Sequence, residues 1–84
     1  MFLNCILLER KIKLLWDFRG SDALETAKHH TIHLKEFAEI ENLPFYEIDI
    51  KEQNPMLCAA YIVVSESDMK VYRDALKPQR GELA

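Results

Sequence analysis

The chain is expected to fold as one α+β domain, a short antiparallel sheet with two helices on one face. Three observations predict it. The 84 residues allow a single domain. Hydrophobic residues make up 49% of them, which is ordinary for a packed domain and too many for a disordered chain. Segments of strand-like and helix-like hydrophobic patterning alternate in the order β-α-β-β-α. A chain this short buries only about 60–65% of its unfolded surface, so its core is marginal without further support.

From Lys11 to Phe18, the residues Ile12, Leu14, Trp16 and Phe18 alternate with Lys11, Lys13, Leu15 and Asp17, the pattern of a strand. Gly20 breaks it. Asp22 with Glu25 three residues on is a capping-box start, with Ser21 a rival cap, and the helix is expected to run to about Asn42. Leu43-Pro44 stops it, because proline disfavours helix in the residue before it. Phe45 to Glu52 is a second strand, with Tyr46, Ile48 and Ile50 on one side and Phe45, Glu47, Asp49 and Lys51 on the other. Gln53-Asn54-Pro55 is a turn. Met56 to Val64 is a third strand, apolar on both faces and therefore central, whereas the charged face of the second suits an edge. Ser65 or Ser67 opens a second helix with Met69, Tyr72, Ala75 and Leu76 on one side, ended by Lys77-Pro78. The tail from Gln79 is a frayed end or a short final strand. This order predicts a ferredoxin-like split βαβ, with the first and third strands paired in parallel across a right-handed crossover.

The formal net charge is −3 with both signs interspersed, and no basic stripe suits nucleic acid. Arg10-Lys11-Ile12-Lys13 and the pair Lys77 and Arg80 are the best basic clusters, and each sits beside acids. Met1 to Leu8 is apolar but has no basic flank or small-residue cleavage site, and it is too short to span a membrane. Residues 1–10 are thus an N-terminal apolar segment of undefined role, and residues 11–84 the domain. Cys5 and Cys58 form no CxxC pair, which predicts a reducing, cytoplasmic setting, and Cys58 reads as a small core residue.

Two helices cover one face of such a sheet. The other is then expected to show Leu15, Leu57, Ala59, Tyr61 and Val63 to water, and a contiguous patch of that kind marks an interface. Burial against a second copy, as a two-fold homodimer, is the expected solution. The alternative is that the N-terminal segment folds back over the patch. A short sheet with helices on one face and an apolar open face resembles the dimeric α/β-barrel proteins, ferredoxin-like subunits paired sheet to sheet, including the YCII-related and small monooxygenase-like groups. The layout match runs from Lys11 to about Pro78. His33-Leu34 and the stretch from Tyr61 to Lys77 look similar in detail, while Gln53-Asn54-Pro55 departs from the glycine-rich turn of the YCII-like groups. The resemblance implies the fold and a sheet-to-sheet dimer.

All three histidines, His29, His30 and His33, fall in the first helix. At about 100° per residue, Leu24, Ala27, Thr31, Leu34 and Ala38 form its core stripe, flanked by His30 and Phe37. His29, His33, Glu36 and Ile40 share the far side. An i, i+4 histidine pair with a carboxylate one turn on is a candidate site for zinc or another divalent metal, with Cys5 or a second copy supplying further ligands. Otherwise this is a partly exposed helix surface. His30 and His33 are the candidate general acid or base of an enzyme reading, since imidazole titrates near neutral pH. Trp16, Asp17 and Arg19, ahead of the helix N-terminus, are candidate small-ligand residues, though Trp16 and Phe18 share the parity of the core. No dinucleotide or phosphate-loop motif and no Ser or Cys nucleophile motif is present. The expected function is that of a small homodimeric protein binding a small ligand or a protein partner. The alternatives are a dimeric-barrel-type enzyme and a metal-binding module.

Overall fold

The computed structural model describes residues 10–84. Its elements are β1 (Lys11–Arg19), α1 (Ala23–Ile40), β2 (Glu47–Asn54), β3 (Leu57–Ser65), α2 (Glu66–Leu76) and β4 (Arg80–Leu83). The sheet order is β2-β3-β1-β4. The apolar segment Met1 to Leu8, and with it Cys5, lies outside the described residues.

The expected ferredoxin-like α+β layout is present, but one part of its logic is corrected. β1 and β3 pair antiparallel, from Lys11 against Ser65 to Arg19 against Leu57. β3 also pairs antiparallel with β2, so β1 and β2 run parallel and β3 is inserted between them. That insertion is what splits the βαβ unit: the helix joins the two parallel strands, and the pair that hydrogen-bonds across β1 and β3 is antiparallel. The central place of β3 and the edge place of β2 agree with their sequences.

Alternation in β1 and β3 aims Leu14, Trp16, Ile62 and Val64 at the helices, where Leu34, Ala38 and Tyr72 meet them in one buried cluster. Phe37 of α1 lies 5.5 Å from the Tyr72 ring of α2, which places both helices on the same face. Ala23, Ala27, Cys58 and Ala60 form a second, small-residue cluster where α1 comes close to the sheet. Burial pushes the Cys58 thiol above its ordinary pKa, with Glu52 adding to the shift, so it behaves as packing rather than as a nucleophile. Ala75 of α2 is exposed rather than part of the apolar side, which is Met69, Tyr72 and Leu76.

The helix-free face departs from expectation. Leu15, Ala59 and Val63 lie on it and are only 2%, 5% and 5% exposed. Leu57 and Tyr61 are half-buried. Lys13 stands over the Tyr61 ring at 4.6 Å, and the Tyr61 hydroxyl donates to Glu47 at 2.8 Å. Among the described residues, three of the five apolar side chains expected to be open to water on this face are therefore buried.

Local chemistry sets the ends of the elements. Gly20 has φ 106°, which an L side chain rarely adopts, and its N–H reaches the Met56 carbonyl at 2.9 Å, tying the turn after β1 to the β2–β3 hairpin. The Asp22 side chain makes no capping hydrogen bond, so the expected capping box does not form. Nor does Ser65 cap α2: its hydroxyl pairs with that of Tyr46 at 3.2 Å. α1 ends in a Schellman motif, with Leu43 N–H on Ala38 O at 2.9 Å, Asn42 N–H on Glu39 O at 3.2 Å and Asn42 at φ 54°. The helix thus ends at Ile40, two residues before the end at Asn42 that the proline argument implies. In the hairpin, Asn54 belongs to β2 and its side-chain carbonyl accepts the Met56 N–H at 2.8 Å. β4 is held by Gln79 N–H on Leu15 O at 3.0 Å and Ala84 N–H on Lys11 O at 2.9 Å.

Lys77, past the end of α2, also takes a left-handed conformation, φ 49°. Glycine there relieves the Cβ conflict, so Lys77→Gly is expected to stabilise the fold by about 0.5–1 kcal/mol. Urea denaturation of the two proteins at one pH measures it, and an unchanged or lower midpoint contradicts it.

Candidate functional site

α1 buries Ala23, Ala27, Leu34 and Ala38 and turns the opposite side outward. His29 and His33 share that outer side because residues four apart lie one above the other on a helix. Their Nε2 atoms are 2.9 Å apart, with ring centroids separated by 4.5 Å and the ring planes at 85°. The Nδ1 of His33 is 3.4 Å from Glu36 Oε1, and both side chains are more than half exposed. One tautomer arrangement satisfies every contact: His33 keeps its proton on Nδ1 toward Glu36 and accepts from the His29 Nε2–H through its own Nε2.

That geometry is close to what a divalent metal requires. Two nitrogens at about 2.05 Å from one ion lie about 2.9 Å apart at a 90° angle and about 3.3 Å apart at the tetrahedral angle. The pair therefore needs to open by only a few tenths of an ångström. Glu36, expected as a third ligand, sits instead on the Nδ1 side of His33, away from the point where the two Nε2 atoms converge. It faces the ring nitrogen opposite to that position, at 3.4 Å, the place from which a carboxylate can orient a histidine ligand. No group of three or more His, Cys, Asp or Glu able to hold a metal occurs among the described residues. Cys5, the other named source of a ligand, lies outside them.

His30 is separate. Its ring lies 4.7 Å from that of Trp16 and 5.6 Å from that of Phe18. Its Nε2 is buried with no hydrogen-bond partner. Burial, then the neighbouring His33 and His29, holds its pKa below the usual histidine value. The unfolded chain therefore takes up a proton first as pH falls, and folding stability declines from about pH 6.5 downward. His30→Leu is expected to remove this decline. It should also raise stability near neutral pH by about 1 kcal/mol, because a buried unpartnered nitrogen is replaced by carbon. Urea midpoints at pH 5 and pH 7.5 test both effects, and an acid loss that persists in the variant contradicts the assignment to His30.

Trp16, Asp17 and Arg19 do not assemble into a site. Trp16 is 6% exposed in the core, with its indole N–H committed to Leu76 O at 3.0 Å. Asp17 points to the opposite face and forms a two-pronged pair with Arg80, at 3.1 Å and 3.0 Å. Arg19 is exposed at the end of β1. The Asp17–Arg80 pair went unseen in the sequence because nothing local links residues separated by 63 positions. Ile32, 53% exposed beside His29 and His33, was also missed, although its spacing from Ile40 was open to inspection. Among the described residues no cavity is enclosed and no helix is long and apolar enough to cross a membrane.

The site and fold define a small α+β protein of ferredoxin-like layout with a histidine pair on the outer face of its longer helix. No protein-family model, no curated protein and no solved structure matches the chain.

Proposed function

We propose that this chain is a small module that binds a divalent metal and associates with protein through the outer face of α1. His29 and His33 are the ligands and Glu36 the residue that positions His33. The observation that carries the reading is the 2.9 Å approach of the two Nε2 atoms on an exposed helix face. Association has its own support: Ile32 and Ile40, 53% and 79% exposed, flank the histidines on that face. The dimeric-barrel reading has less, because Leu15, Ala59 and Val63 are not open to solvent. An acid–base role for His30 or His33 also has little support, since His30 Nε2 is buried without a partner and the His33 side chain is more than half exposed, with no pocket among the described residues.

Calorimetric titration of untagged protein with zinc or copper chloride tests the metal reading. Saturable binding is expected, tighter for Cu²⁺ than for Zn²⁺. Glu36→Gln should weaken it by about tenfold, as loss of an orienting carboxylate does, and His33→Ala by more. Equal binding by the His29→Ala/His33→Ala double variant overturns the proposal.

A further inference from the structure

We infer that a second copy of this chain completes the metal site, giving a zinc-bridged homodimer with four imidazole ligands. This rests on the metal reading above and extends it to the partner and the coordination number. Structural zinc is held by four ligands, and the described residues of one chain bring two together. A two-fold axis through the ion duplicates the pair and closes the set, since a two-fold contact presents the same patch from both sides.

The surroundings of the pair suit a helix against its own copy. His29, His33, Glu36 and Ile40 follow each other at spacings of four, three and four, the seam along which two helices pack. Ile40 stands at one end of the seam, 79% exposed, and Ile32 beside it, 53% exposed. Both lose solvent contact when a second α1 lies across the histidines. Each His33 keeps its own Glu36 at 3.4 Å on Nδ1, so the carboxylates face away from the ion, and all four Nε2 atoms can bind it once each His29 carries its proton on Nδ1 instead of Nε2.

Sedimentation equilibrium of the untagged full chain, alone and with increasing zinc chloride, tests the inference alongside calorimetric stoichiometry. The expected result is a mass that doubles as zinc reaches half an equivalent per chain, reversed by a chelator and lost in His33→Ala. His33 is exposed, so that variant should keep its circular dichroism spectrum. Ile32→Lys/Ile40→Lys should weaken zinc-induced dimerisation while leaving zinc binding to the monomer. One zinc per chain at monomer mass overturns the dimer site and leaves the metal reading standing. Absence of binding overturns both. A dimer that forms equally without zinc, or in His29→Ala/His33→Ala, also overturns the inference.

Discussion

Tyr72→Ala is expected to cost about 3–5 kcal/mol, enough to unfold much of the population of a domain this small. Tyr72 is fully buried, its ring lies 5.5 Å from Phe37, and its hydroxyl donates to Pro44 O at 3.3 Å. One side chain thus joins α2 to α1 and to the connection into β2. The same burial, with a smaller contribution from Asp68, pushes its hydroxyl up to about 12. Tyrosine in the unfolded chain ionises near pH 10, so stability should fall as pH rises from about 10 toward 12. Tyr72→Phe keeps the ring and loses one long hydrogen bond, at a cost of about 1 kcal/mol, and should not show that part of the alkaline loss. Equal destabilisation by both substitutions would show that the hydroxyl, rather than the packed ring, carries the effect.

The second large effect concerns the other side of the sheet. Leu15 faces away from both helices, yet it is only 2% exposed. Leu15→Ala is therefore expected to cost about 2–4 kcal/mol, as truncation of a core leucine does. On an open sheet face the same change would stay within about 0.5 kcal/mol. Chemical denaturation distinguishes the two, and a small loss would restore the open apolar face that the sequence suggested. Asp17 and Arg80, paired at the border of this face, give it a charged margin.

How much was legible depends on distance along the chain. β1, β3 and the two helices could be read because alternation and helical spacing are local: Ile12, Leu14, Trp16 and Phe18 all turn to the core cluster as their parity requires. The histidine pair was legible for the same reason, since any helix stacks residues four apart. Glu36 was placed on the correct face, but its contact with Nδ1 of His33 was not legible, because spacing fixes a direction and not which ring atom a carboxylate meets. The start of α1 was misread in detail, since the Asp22–Glu25 signal marks a cap that the side chain does not make.

By itself the sequence determined the α+β fold class, which residues of β1, β3 and the helices turn to the core between helices and sheet, and that two histidines share the outside of the first helix. Those follow from periodicities that operate within a few residues. Only the tertiary structure decided that β1 and β3 run antiparallel, that the last residues add β4 to the edge, and that Leu15, Ala59 and Val63 are buried. Each of these depends on groups dozens of residues apart meeting across the sheet, and the free energy that selects the meeting belongs to the packed whole rather than to either segment.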